Sequence, residues 1–265
     1  MNNILRYFFL ALMFCLLSAT VDDYTLIRKI AFKQEVSLTT DNLGNAYVVV
    51  ENQVLKFDPK GLPLENFSEP NMGSLKYVDA GNPLRILLFY PDFARLLVLD
   101  SKLAIQANIN LRQLNINQPL TACNSSESGY WVYDRDDDKL KKINPNQQVT
   151  YESGILMQVT GYQVEPGMMV EGNGYLYMNN PATGLLVFDR FGAYYKTIPV
   201  PDIQSFQVVE NDILYVRDNK LIRYNTKTIS QSDVLLPQID SIRSARIEQH
   251  QLYLLTSDSL NFYSF

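Results

Sequence analysis

The stretch that decides the fold begins Asp41-Asn42-Leu43-Gly44-Asn45-Ala46-Tyr47-Val48-Val49-Val50. It continues Glu51-Asn52-Gln53-Val54-Leu55-Lys56-Phe57-Asp58-Pro59-Lys60-Gly61. Both ends are turn chemistry: Gly44 and Asn45 tolerate positive φ, and Pro59 and Gly61 stand where turns favour them. Between them lie a β-branched and aromatic strand over 46–50, a two-residue connection at Glu51-Asn52, and a second strand over 53–57. A strand over 36–40 precedes this hairpin and another over 62–67 follows it. Four short antiparallel strands thus form one meander.

The unit recurs. Segments ending in Asp58, Asp100, Asn144, Asp189, Asn225 and Ser264 each close a short apolar run, at spacings of 42, 44, 45, 36 and 39 residues. Offsets within the units match as well: Gly129 lies 15 residues before Asn144, Gly174 lies 15 before Asp189, and Gly44 lies 14 before Asp58. A period of about 40 with strands in every unit predicts an all-β, six-bladed β-propeller with four-stranded antiparallel blades. The sixth unit supplies three strands, over 242–247, 252–256 and 260–264. An open sheet edge invites aggregation, so the unassigned strand from Thr25 to Phe32 is expected to close the ring as the fourth strand of the last blade. No Pro- or Gly-rich linker divides residues 20–265, which read as a single domain.

These residues resemble a known family. Asp41-Asn42-Leu43-Gly44-Asn45-Ala46-Tyr47-Val48, followed by Lys56-Phe57-Asp58-Pro59-Lys60-Gly61, is similar to one repeat of the NHL-type six-bladed propellers, which sit beside the YncE-like, TolB-like and gluconolactonase-like propellers. Val187-Phe188-Asp189-Arg190-Phe191-Gly192 resembles the second half of that repeat again. The resemblance implies a fold and brings no catalytic residue with it. Six-bladed propellers of the gluconolactonase type hold a divalent metal with acids and an Asn at the central channel. By that resemblance Glu35, Asn124, Glu165, Glu171 and Glu210, all near innermost strands, are the candidates for a channel metal site.

Composition bounds the function. Of 265 residues, 46% are apolar and 19% charged, enough for one large core. Residues 1–19 stand apart, with Arg6, then an apolar run from Phe8 to Leu17, then Ser18-Ala19-Thr20. This reads as a secretory signal peptide cleaved near Ala19; the run is short for a membrane span, which needs about 20 residues, and a retained anchor is the alternative. Cys15 lies inside the run, and Phe14 before it is not the small residue that precedes a lipidated cysteine. Cleavage leaves Cys123 as the one thiol, so no intramolecular disulfide can form, which suits a bacterial periplasm or cell envelope. It also removes one Arg and no acid, moving the net charge from −5 to −6. An acidic body without a Lys/Arg cluster argues against nucleic acid and anionic lipid as partners.

The catalytic vocabulary is sparse. Asp134-Arg135-Asp136-Asp137-Asp138 resembles the opening of an EF-hand loop, but Lys139 stands where its Gly belongs and Pro145 where its bidentate Glu belongs; a solvated hairpin turn is expected. His250, the one histidine, lies in a polar turn and cannot make a multi-histidine site. No G-x-S-x-G occurs. Cys123 reads as a small buried hydrophobe on an innermost strand, and Trp131 as core. The leading expectation is a non-catalytic exported scaffold, without a cofactor, that binds a protein or another envelope component, as a monomer or as a subunit of an envelope complex. A metal-dependent lactonase at the channel is the enzymatic alternative. The ending Asn261-Phe262-Tyr263-Ser264-Phe265 also resembles that of outer-membrane β-barrels, although barrel strands need about 9–11 residues.

Overall fold

A computed structural model describes residues 24–265. The signal-peptide reading and Cys15 lie outside the described residues. Among the described residues, twenty-four strands form six separate four-stranded antiparallel sheets. After a first strand, β1 (Thr25–Ala31), blade 1 holds β2 (Val36–Thr40), β3 (Ala46–Val50), β4 (Gln53–Phe57) and β5 (Pro63–Ser68). Blade 2 holds β6 (Tyr77–Asp79), β7 (Ile86–Tyr90), β8 (Arg95–Leu99) and β9 (Ile105–Asn110). In blade 3 are β10 (Pro119–Asn124), β11 (Tyr130–Asp134), β12 (Lys139–Ile143) and β13 (Val149–Glu152). Blade 4 follows a short helix, α1 (Leu156–Thr160), with β14 (Met169–Gly172), β15 (Tyr175–Asn180), β16 (Gly184–Asp189) and β17 (Tyr194–Ile198). Blade 5 is β18 (Phe206–Val209), β19 (Asp212–Arg217), β20 (Lys220–Asn225) and β21 (Ser230–Val234).

Blade 6 closes the ring. Its chain-terminal strands β22 (Ile242–Glu248), β23 (Gln251–Thr256) and β24 (Ser259–Ser264) are completed by β1 (Thr25–Ala31), which pairs antiparallel with β24 from Thr25–Ser264 to Ala31–Ser259. The strand expected to reach Phe32 stops at Ala31, but the Phe32 amide still donates to the Asp258 carbonyl at 2.8 Å. The barrel reading is corrected here. A barrel is one sheet closed on itself, whereas these strands divide into six sheets, and the longest have seven residues.

The two middle strands of each blade are largely buried because neighbouring blades cover both faces, whereas outer strands such as β13 and β21 are polar and exposed. Strand β7 shows how: Leu87 and Phe89 point into the core shared with blade 3, while Ile86, Leu88 and Tyr90 point into the core shared with blade 1. Period-two alternation therefore splits one run between two cores. Six such clusters occur, one for each pair of successive blades; the one between blades 6 and 1 joins Tyr253, Leu255, Leu260 and Phe262 to Leu38, Ala46, Val48 and Phe57. The ring is thus held by six apolar seams, and a void or a missing strand at any seam is felt by both neighbours.

Candidate functional site

Five of the six residues that end the repeated strands are occupied by their own turns. Asp58 Oδ1 accepts the amides of Lys60 (2.9 Å) and Leu62 (2.7 Å). Asp100 does the same for Lys102 (2.8 Å) and Ala104 (2.9 Å), and Asp189 for Phe191 (2.8 Å) and Ala193 (2.9 Å). Asn144 accepts from Gln148 at 2.9 Å, and Asn225 from Lys227 (3.0 Å) and Thr228 (2.9 Å). These are Asx turns, in which the side chain stands in for a backbone carbonyl.

The first strands of the six blades, β2, β6, β10, β14, β18 and β22, line the central channel. Where they run into their hairpins, their last residues meet in a cavity of about 360 Å³ to which every blade contributes. Blades 1 to 4 supply Thr40, Asp79, Asn124 and Glu171; blade 5 supplies Gln207 and Val209; blade 6 supplies Arg246 and Glu248. The three carboxylates come from alternate blades, and donors from the blades between reach all three. Asp79 Oδ2 accepts the Asn124 amide at 2.8 Å, and Oδ1 accepts that of Gly81 at 3.0 Å. Glu248 Oε1 accepts the Thr40 hydroxyl at 2.6 Å and Gln207 Nε2 at 2.7 Å. The third, Glu171, accepts the Trp131 indole N–H at 2.6 Å and the Ser126 hydroxyl. Trp131 is therefore buried core with a polar edge turned to the mouth.

Burial dominates the electrostatics. It pushes the Asp79 and Glu248 carboxyls above their ordinary range, against the hydrogen bonds they accept and the attraction of Arg246. It raises the Tyr77 phenol strongly, helped by the charge of Asp79. It also lowers the Arg246 guanidinium, against the nearby Tyr77, Glu248 and Asp79. Arg246 is 6% exposed, and one of its terminal nitrogens donates to the Phe206 carbonyl at 2.9 Å.

The five candidates from the sequence are divided. Asn124 and Glu171 line this mouth. Glu35 stands in the cavity at the opposite end of the channel, about 720 Å³, where it pairs with Arg243 at 2.6 Å. Glu165 pairs with Arg135, and Glu210 is exposed in the β18–β19 hairpin with φ of 50°. Among the described residues, no three His, Cys, Asp or Glu side chains come together as a metal-ligand set. Sequence reasoning missed Asp79, Gln207, Arg246 and Glu248. The signal that could have found them is positional: β2, β6, β10 and β22 all close on a polar residue.

The remaining motifs are accounted for. Residues 135–138 form the expected turn, but Asp134 is fully buried at the end of β11, not solvated, because it meets Lys141 Nζ at 2.9 Å. Asp137 also pairs with Lys141, while Asp138 accepts the Tyr133 hydroxyl and the Met157 amide, both at 2.7 Å. His250 is exposed in the β22–β23 turn, its ring edge-on to Phe265 at 6.4 Å. Cys123 is fully buried in the core between blades 3 and 4, and burial pushes its thiol well up. No helix among the described residues is long and apolar enough to cross a membrane.

A closed ring of six four-stranded blades around a polar channel defines a β-propeller, consistent with the NHL-type resemblance. No protein-family model matches the chain, and no curated protein matches it in sequence. Solved structures do. A virginiamycin B lyase from Staphylococcus aureus with quinupristin is 16% identical, with a TM-score of 0.58 over 88% of this chain and 82% of that one. BBS1N in complex with ARL6DN is 15% identical, with a TM-score of 0.56 over 88% and 78%. BamB from Moraxella catarrhalis is 9% identical, with a TM-score of 0.52 over 91% and 98%. At these identities the likeness carries the fold alone, and it spans both enzymes and binding proteins.

Proposed function

We propose that the protein is a non-catalytic, exported β-propeller that binds a protein or another component of the bacterial cell envelope at the hairpin-side mouth of its channel. One observation carries the reading: side chains from all six blades converge there, with carboxylates fixed by hydrogen bonds from neighbouring blades. Such a mouth is pre-organised, so little ordering is lost when it is occupied. The histidine and the thiol lie elsewhere or are suppressed, since His250 is on an exposed turn and the Cys123 thiol is buried and held protonated. Export is supported by the N-terminal apolar run and the lack of a second cysteine in the remaining chain.

Affinity capture from bacterial envelope extracts tests this, with the wild-type chain beside the variant Asp79→Asn/Glu248→Gln. The expected result is a component recovered by the wild type and lost with the variant, while both give the same melting profile apart from small shifts. Turnover of a lactone, or a divalent ion retained through purification, would instead favour the enzymatic alternative and overturn the proposal.

A further inference from the structure

We propose that the channel mouth binds a small zwitterion of the α-amino-acid class, its carboxylate on Arg246 and its ammonium group among Asp79, Asn124 and Glu248. The inference rests on the reading of this mouth as a binding site. It starts from two buried polar atoms of the cavity lining that have no hydrogen-bond partner among the described residues: Arg246 Nε, a donor, and Asn124 Oδ1, an acceptor. Buried polar groups are normally paired, so each orphan calls for an explanation.

The orientation of Asn124 is settled by its surroundings. Its Nδ2 donates to the carbonyls of Asp79 (3.2 Å) and Arg85 (3.1 Å), which leaves Oδ1 as the acceptor. The two orphans are therefore of opposite kind, and each stands in a field that selects charge. Asn124 Oδ1 adjoins the Asp79 carboxylate, which its own backbone amide touches, so an ammonium group there would meet a carboxylate and an unpaired amide oxygen. Arg246 is a cation, and its free Nε selects a carboxylate.

Depth separates the two poles. Arg246 precedes Glu248 by two residues on β22, so both face the channel and Arg246 lies roughly 7 Å farther in. Tyr77 stands below Asp79 in the same way on β6. The mouth thus has three carboxylates and one cation, Arg85, around a floor that holds Arg246. A lone anion would pass three carboxylates to reach Arg246, and a lone cation would be held above a guanidinium. A zwitterion matches both levels. The cavity is at the small end of ligand sites, which suits a single amino acid rather than a drug-sized molecule.

Isothermal titration calorimetry of the chain with the twenty free L-amino acids tests the proposal. The N-acetyl and methyl-ester derivatives of any binder follow, together with glucose and galactose. At least one free amino acid should bind, and blocking either charge should weaken it at least tenfold. Arg246→Met should bind the acid and its ester equally; Arg246→Lys, which keeps a cation, should retain part of the preference and serves if Arg246→Met fails to fold. Glu248→Gln should weaken the free amino acid and leave its N-acetyl derivative unchanged. Binding of none of the twenty, equal binding of the blocked derivatives, or binding of a sugar alone would overturn the proposal. If the wild type still captures an envelope component that Asp79→Asn/Glu248→Gln loses, the broader binding reading survives that failure; if capture also fails, both readings fall.

Discussion

Replacing Lys141 with Met tests how the acidic run at 134–138 is built into the fold. Asp134 is 0% exposed, and its carboxylate has two partners, the Gln118 amide at 3.1 Å and Lys141 Nζ at 2.9 Å. Lys141 also donates to the Asn115 carbonyl at 3.2 Å, so the pair ties the hairpin of blade 3 to the segment arriving from blade 2. Methionine fills a similar volume and keeps the apolar stem, but it leaves an ionised Asp134 buried with one donor. Stranding one member of a buried pair costs about 3–5 kcal/mol. In a domain of this size each kcal/mol moves the midpoint by about 2–4 °C, so thermal unfolding should fall by roughly 6–20 °C. Asp134→Asn alone should cost less, about 1–3 kcal/mol, because Lys141 keeps Asp137 and the Asn115 carbonyl. The double variant Asp134→Asn/Lys141→Met should recover most of the loss, since no buried charge remains. Circular-dichroism melts and urea titrations of all four chains provide the double-mutant cycle. A Lys141→Met midpoint within 2 °C of wild type, or a double variant as unstable as Lys141→Met, would refute the reasoning.

Three further outcomes follow from the same geometry. Burial raises the Glu248 carboxyl in the folded chain, so the unfolded chain loses that proton first, and this group's contribution is full below the ordinary Glu range and lost as pH rises through the raised value. Glu248→Gln should therefore melt higher than wild type at pH 7 and level with it below about pH 4; a difference independent of pH would contradict the assignment. Gly44 has φ of +83°, and a Cβ there would lie 3.1 Å from the Tyr253 hydroxyl and 3.2 Å from Pro59, whereas Gly174, with φ of +79°, has open space. Gly44→Ala should cost more than the ~1–2 kcal/mol of left-handed strain expected for Gly174→Ala, and equal denaturant midpoints for the two would exclude the contact. Deleting residues 24–32 uncovers β24 as an open edge, so the product should elute from size exclusion as aggregate; a monomer with the wild-type melting temperature would show that β1 does not close the ring.

The fold was legible because its signals are local. An Asp or Asn that accepts amides two and four residues on, as Asp58, Asp100 and Asp189 do, announces a turn without any tertiary information. Short apolar runs closed by Asp or Asn, such as Leu96–Asp100, announced the repeat, while burial on both faces of a strand such as Ile86–Tyr90 emerged only from the packing of neighbouring blades. The site was legible only in part, because it is assembled by closure of the ring. Asp79 and Arg246 are far apart in sequence, and nothing next to either marks a shared cavity. Glu35 and Glu165 showed the converse weakness: both lie near first strands, but at the end opposite Asn124 and Glu171. Nearness to a strand fixes a radius from the axis, and only the direction of the strand fixes which mouth a residue faces. The buried Asp134 was hidden for a related reason, since its partner sits across the hairpin on β12 and their contact depends on register.

The central claim is that binding belongs to the hairpin-side mouth of the channel. Cys123 is the one cysteine among the described residues and is fully buried, so a thiol introduced at the surface can be labelled selectively in the chain without residues 1–19. Asn42 lines the hairpin-side mouth and Gln204 the opposite one, and both are exposed. The decisive measurement is envelope capture by Asn42→Cys and Gln204→Cys, each with and without a bulky maleimide adduct. The adduct at position 42 should abolish capture and the one at 204 should leave it intact. Capture that survives the adduct at 42, or that is lost only with the adduct at 204, would contradict the account.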